Sequence, residues 1–148
     1  MPDLQALTLV CIAYLVGSIP FGLLVSWALA RVDIRRHGSG NIGTANVLRI
    51  VGKWAATLTL LGDLLKGFLP DVAALSLGAS ELWVAGVGLA AVLGHNWSVY
   101  LRFAGGKGVA TSFGALLAMT PPPALLGLLT WTAVVLIFRY TSLAALIA

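Results

Sequence analysis

Charge is what this sequence has least of. Asp, Glu, Lys and Arg make up 9% of its 148 residues and hydrophobic residues 59%, whereas soluble domains carry about 25% charged residues. With a mean hydropathy of +0.99, the chain has too few polar groups to cover a water-facing surface. A soluble globular protein is excluded, and an integral membrane protein is expected. Cysteine is nearly absent. Cys11 permits no intrachain disulfide, and with nothing nearby to lower its pKa it is expected to be a buried structural thiol. Two histidines and five scattered carboxylates show no ligand spacing, so no metal site is expected. The net charge of +4 does not point to nucleic acid, because the basic residues sit in short loops between apolar runs.

Those apolar runs are the main content of the chain. From Leu4 to Ala30 there is no charge over about 27 residues, too long for the apolar core of a signal peptide. One membrane helix is expected there, interrupted by Gly17, Ser18, Pro20 and Gly22, since an internal proline removes a hydrogen bond and kinks a helix. The glycines read better as a close-packing face for a neighbouring helix. A second run extends from Lys53 to about Gly78, and a third from about Leu82 to Leu101. A short helix then stops at Thr120 before three prolines. A further run reaches Phe138, and another begins after Arg139. The length favours one domain. The expected fold class is an all-α integral membrane protein, a polytopic bundle of about five to six hydrophobic helices with short re-entrant or half helices at one face.

Arg31, Arg35, Arg36, Arg49, Lys53, Arg102, Lys107 and Arg139 fall on one side of these runs, and Asp3, Glu81 and the triple proline on the other. An excess of Lys and Arg marks the cytoplasmic side. The N-terminus is therefore expected outside and the basic face inside.

Two glycine-rich stretches lie on the basic face. Gly38-Ser-Gly-Asn-Ile-Gly-Thr-Ala-Asn-Val-Leu-Arg49 holds three glycines, four small polar residues and an arginine. Glycine admits close approach to main-chain N–H groups, and the helical pattern from Thr44 places the loop at a helix N-terminus, an anion seat. Asn46, Arg49 and Lys53 follow at helical spacing on one polar face. A phosphate cradle is expected; the alternative is a glycine-rich turn with snorkelling basic residues. The second stretch, Ala-Gly-Gly-Lys-Gly-Val-Ala-Thr from Ala104 to Thr111, places Lys107 at a helix start with Thr111 on its face, able to donate to phosphate. It is not a Walker A loop, because Gly108 follows Lys107.

Ionisable groups at membrane depth are costly, which makes Asp63 and Lys66, one turn apart, site candidates; a self-neutralising structural pair is the alternative. Asp71 is assigned no role. His95 near a helix end is a base, a phosphate ligand or a structural residue with equal weight. Trp97, Tyr100 and Phe103 suit an interfacial aromatic belt. Two anion-cradling loops, a membrane-depth Lys–Asp pair and a histidine beside lipid suit an enzyme joining a phosphorylated polar substrate to an apolar one.

The motifs also carry a resemblance. Gly17-Ser-Ile-Pro-Phe-Gly22 with Gly38 to Arg49, then Asp63-Leu-Leu-Lys-Gly67, then Gly94 to Thr111 resemble, in order and spacing, the three motifs of the bacterial membrane acyl-phosphate:glycerol-3-phosphate acyltransferases. Arg139-Tyr-Thr-Ser-Leu143 resembles a later family segment, so the likeness covers essentially the whole chain. It implies a seven-helix fold and transfer of an acyl group from acyl phosphate to the sn-1 hydroxyl of glycerol 3-phosphate. Lysophosphatidic acid and phosphate would be the products, without cofactor, metal, acyl-CoA or acyl-carrier protein.

The same resemblance implies the site. Ser39, Arg49, His95 and Lys107 would be the catalytic set. Gly38, Gly40, Asn41, Gly43, Asn46, Lys66, Gly105, Gly106, Gly108, Thr111 and Ser142 would bind substrate. The partners would be the two substrates and membrane lipid, with no nucleic acid and no obligatory protein partner, at the bacterial inner membrane. Two departures stand out. Ala45 replaces a frequent hydroxyl residue, and relatives continue past residue 148 through another helix and a polar tail. The expected unit is thus a single transmembrane acyltransferase domain over 1–148 lacking those parts, which leaves an inactive truncated member as one alternative.

Rival classes leave traces that are missing. An acyl-CoA-dependent acyltransferase would be expected to show His-x-x-x-x-Asp, yet Ile42 follows His37 at that spacing and Tyr100 follows His95. A transporter of a phosphorylated solute would show halves related by pseudo-symmetry. Because a mixed anhydride already carries a good leaving group, orientation and oxyanion stabilisation suffice, and no acyl-enzyme is expected. The hydroxyl proton would go to a substrate phosphate oxygen, with His95 the second-choice base.

Overall fold

The computed structural model describes residues 2–147, apart from the side chain of Ser142, so the expectation placed on that side chain lies outside the described residues. The helices are α1 (Asp3–Gly17), α2 (Phe21–Ala30), α3 (Thr44–Ile50), α4 (Lys53–Ser76), α5 (Glu81–Asn96), α6 (Val109–Met119), α7 (Pro121–Phe138) and α8 (Thr141–Ile147). Short 3-10 turns cover Ile34–Arg36 and Val99–Leu101. No strand occurs among the described residues. Among the described residues, three stretches are long and apolar enough to cross a membrane: Asp3–Ala30, Glu81–Leu101 and Pro121–Phe138.

The expected single helix over Leu4–Ala30 is in fact two. Pro20 has no N–H to continue the ladder, and the chain leaves helical geometry between Gly17 and Phe21. The break has a structural consequence. It leaves the carbonyls of Ser18 and Ile19 outside the helical ladder, and side chains from elsewhere reach them: Ser98 Oγ donates to Ser18 O at 2.6 Å, and Lys66 Nζ donates at 2.8 Å to Ile19 O, which also accepts from Phe21 N–H at 3.1 Å.

α4 is the hub, packing on α1, α2, α3, α5 and α6. At 24 residues and about 1.5 Å per residue it is long enough to span a bilayer, and Asp63, Lys66 and Asp71 are all turned inward. Its closest neighbour is α6, and the contact is made by glycine. A Cβ on Gly67 would strike the Thr111 carbonyl, and one on Gly114 the Leu64 carbonyl. The two backbones therefore touch, the small-residue packing that suits helices without a hydrophobic drive between them.

α1 and α5 run parallel. Trp83 Nε1 reaches Asp3 Oδ1 at 3.3 Å at their starts, and Tyr14 OH donates to Trp97 O at 2.7 Å near their ends. The core is built of small side chains. One cluster joins Ala13, Ala74, Val84, Val87, Ala90 and Ala91; the other joins Ile34, Ile42, Val47, Ala55 and Ala56. Most leucines point outward, as lipid permits. Cys11 is exposed on the outer face of α1, which corrects the expectation of a buried thiol: a small apolar side chain gains as much from lipid as from a core. Asp71 is wholly buried, its carboxylate lying on Gly88, with neither oxygen hydrogen-bonded among the described residues.

Candidate active site

The two glycine-rich loops meet at one end of the bundle. Leu101, just before the second loop, packs on the cluster of Ile34, Ile42 and Val47 that underlies the first. The acidic residues Asp3 and Glu81 lie at the opposite end, at the starts of α1 and α5.

Asn46 builds the first loop from below. It is 3% exposed, and its Oδ1 accepts from Ser39 N–H at 3.0 Å. Its Nδ2 donates to the carbonyls of Asn41 (2.9 Å), His37 (3.0 Å) and Ile34 (3.3 Å). Asn41 Oδ1 in turn accepts from Gly43 N–H at 2.8 Å, and Gly40 N–H bonds to His37 O at 3.0 Å. The N–H groups of Ser39, Gly40 and Gly43 are thus spent inside the loop. Asn46, expected among the substrate-binding residues, here builds the loop through four hydrogen bonds. α3 is seven residues long. What the loop offers outward is the exposed Ser39 side chain, with Arg49 exposed on α3. Gly38 and Gly40 are exposed at φ +59° and +71°, so they shape the turn that presents Ser39.

The second loop is pinned to the end of α5. Gly105 N–H bonds to Asn96 O at 3.1 Å and Gly106 N–H to His95 O at 3.0 Å. The Nε2 edge of His95 fills the space that a Gly106 side chain would need, and Asn96 Oδ1 the space beside Gly108. His95 is 4% exposed, while Lys107, the next residue after Gly106, is exposed. Thr111 is fully buried with its backbone against Gly67. It packs α6 on α4.

Beside His95 lies an ion pair on α4. Lys66 Nζ is 2.8 Å from Asp63 Oδ1, and the same oxygen is 3.5 Å from His95 Nδ1. Lys66 also lies 5.7 Å from the centroid of Phe21. Carboxylate, Ile19 carbonyl and ring surround its ammonium, and its side chain is 2% exposed. Lys66, expected among the substrate-binding residues, here forms an internal tether between Asp63 and the Ile19 carbonyl. Outside the spans, Arg35 Nε and Nη2 grip both oxygens of Asp33 at 2.9 and 2.8 Å. These hydrogen bonds hold the Asp33 carboxyl down at about 2 and raise Arg35.

Sequence reasoning missed the Ile19 carbonyl, Ser98 and Tyr14. The signal was Pro20: a helix broken inside a membrane frees carbonyls, and some buried donor must answer them.

A chain with this site and this composition was compared with known proteins. The family described as glycerol-3-phosphate acyltransferase matches over residues 7–148. The protein belongs to the glycerol-3-phosphate acyltransferase family. The glycerol-3-phosphate acyltransferase of Rubrobacter xylanophilus is 55% identical over 139 residues, covering 94% of this chain and 69% of the relative. That of Geobacter sulfurreducens is 50% identical over 145 residues, covering 98% and 74%. The crystal structure of PlsY (YgiH), an integral membrane glycerol 3-phosphate acyltransferase, in its glycerol 3-phosphate form superposes with a TM-score of 0.90 at 44% identity, covering 95% of this chain and 70% of that one. Its lysophosphatidic acid form gives 0.88 at 43%. This acyltransferase family member is thus an all-helical integral membrane protein that spans about seven-tenths of its relatives' length.

Proposed function

We propose that the protein transfers an acyl group from acyl phosphate to the sn-1 hydroxyl of glycerol 3-phosphate. The supporting observations are that Ser39, Arg49 and Lys107 are all exposed, that the segments carrying them share the packing of Leu101 on Ile42 and Val47, and that His95 lies against Gly106, next to Lys107. The 0.90 superposition on a protein solved in a glycerol 3-phosphate form supports the same substrate.

In this reading Arg49 and Lys107 hold the phosphates, Arg49 by a planar fork and Lys107 as a point charge. Ser39 donates a hydrogen bond to the substrate. His95 and the Gly105–Gly108 turn face the reacting centre. The hydroxyl oxygen attacks the acyl carbonyl carbon, the carbon–oxygen bond to phosphate breaks, and the hydroxyl proton leaves with inorganic phosphate. No covalent acyl-enzyme forms, because the mixed anhydride is activated already. The two cations stabilise charge on the departing phosphate, and orientation supplies much of the acceleration.

The basic end, carrying both loops, faces the cytoplasm of a bacterial inner membrane, and Asp3 and Glu81 face outward, by the inside-positive distribution of Arg and Lys. The decisive assay presents purified protein with glycerol 3-phosphate and either palmitoyl phosphate or palmitoyl-CoA. Lysophosphatidic acid from the first donor alone is expected. Product from the coenzyme A ester alone, or from neither donor, overturns the reading.

A further inference from the structure

The acyltransfer reading uses His95 but says nothing of what holds its ring. The structure answers with one buried oxygen. Asp63 Oδ1 lies 2.8 Å from Lys66 Nζ and 3.5 Å from His95 Nδ1, and the side chains of all three residues are 2–4% exposed. Lys66 is itself fixed by the Ile19 carbonyl at 2.8 Å, so the carboxylate cannot swing away from α5. The opposite edge of the imidazole, Nε2, abuts Gly106. Three elements that are distant in sequence, the α1–α2 break, α4 and the end of α5, thus meet on one carboxylate.

We propose that Asp63 is a positioning residue, which holds His95 with its proton on Nδ1 and its Nε2 lone pair directed at the Gly105–Gly108 turn. A carboxylate offers only acceptors, so the nitrogen that faces it carries the hydrogen, and the nitrogen that faces the loop becomes an acceptor. In an acyltransferase, and the assignment rests on that reading for its purpose, Nε2 then accepts the hydrogen of the attacking hydroxyl of glycerol 3-phosphate and relays that proton to the departing phosphate. That contact aims the oxygen lone pair at the acyl carbon. At 3.5 Å neither His95 Nδ1 nor Asp63 Oδ1 completes a hydrogen bond among the described residues, and the proposed contact tightens into one when substrate fills the loop, as catalytic hydrogen bonds do on binding. Lys66 serves the same device by anchoring the carboxylate, which gives a buried cation a purpose without requiring it to touch substrate.

The experiment is 15N spectroscopy of histidine-labelled full-length protein in lipid nanodiscs, with His37→Gln used to assign the two histidines. A His95 protonated at Nδ1 in the wild type is expected; a ring protonated at Nε2 overturns the assignment. The spectrum needs no turnover, so it decides the assignment even if the protein acylates nothing, an outcome that would remove only the acyltransfer reading. Asp63→Asn provides the second arm. Because the one oxygen Oδ1 faces both Lys66 and His95, the amide that keeps it on Lys66 sets a neutral and weaker acceptor opposite Nδ1, and the hold on the ring loosens. A fall in kcat of about 10- to 100-fold is expected, with KM for both substrates within about twofold. In the His95→Gln background Asp63→Asn should add nothing further, because it acts through the ring. Losses that multiply in the double variant would make Asp63 purely structural and overturn the proposal.

Discussion

Lys66 and Ile19, 47 positions apart, are joined by a 2.8 Å hydrogen bond from ammonium to main-chain carbonyl. The bond closes the break that Pro20 opens, and Asp63 balances the charge. Removing one partner of such a pair leaves an unpaired buried charge, which costs about 3–5 kcal/mol. Lys66→Met is therefore expected to lower thermal stability sharply. Asp63→Asn/Lys66→Met should recover part of it, since the charge is gone but the Ile19 carbonyl keeps only the Phe21 N–H of its two donors. Full recovery of both melting temperature and activity would reduce the pair to scaffolding.

Ser39 and Asn46 separate presentation from construction. The Ser39 hydroxyl is exposed, and its contact within the loop is a long 3.5 Å approach to Asn41 N, so Ser39→Ala should lower kcat/KM while the melting temperature stays within a degree or so. Asn46→Ala removes four hydrogen bonds from a buried amide and should cost at least about 2 kcal/mol along with the activity. Scanning calorimetry beside the phosphate-release assay distinguishes them. A stable, inactive Asn46→Ala would restore a direct substrate role.

Arg49 tests geometry against charge. Arg49→Lys keeps the positive charge but loses the planar fork, and should remain impaired at least about tenfold in kcat/KM, mostly through KM for glycerol 3-phosphate. Complete rescue by lysine would make Arg49 a general electrostatic anchor.

Backbone contact between α4 and α6 gives a purely steric prediction. Gly67→Ala drives a methyl into the Thr111 carbonyl, and overpacking of this kind costs about 1–3 kcal/mol. Because α6 follows directly on the Lys107 loop, activity should fall with stability. An unchanged melting temperature would show that the helices separate freely.

Asp33 supplies the pH dependence. Its folded-state pKa of about 2 lies below the ordinary 3.8 because Arg35 bonds the charged form. A depressed carboxylate contributes stability that is complete above its unfolded value and lost as pH falls through the folded one. The loss should occur between about pH 4 and pH 2, and be small and salt-sensitive because the pair is at the surface. Melting curves of wild type and Asp33→Asn should converge at the acid end of that window. Divergence there would contradict the assignment.

The sequence by itself determined the solvent of this protein and the ends of most of its helices. So few charges and such long apolar runs are stable only in lipid, and helices answer their own backbone hydrogen bonds there. The second apolar run, expected from Lys53 to about Gly78, is α4 almost residue for residue, and the order of the three motifs was sufficient to identify the family. Which polar side chains are available to a substrate was decided only in three dimensions. Ser39, Asn46, Lys66 and Thr111 look alike as small or basic residues in an oily chain, yet Ser39 stands outward while the other three are buried, Asn46 and Lys66 bonded to backbone and Thr111 packed on Gly67. The reason is hydrogen-bond demand inside a membrane: each carbonyl freed at Pro20 or in the glycine loop must find a donor, and the nearest one in space is often far away in sequence. Local pattern names the donors. Packing decides which of them are left for chemistry.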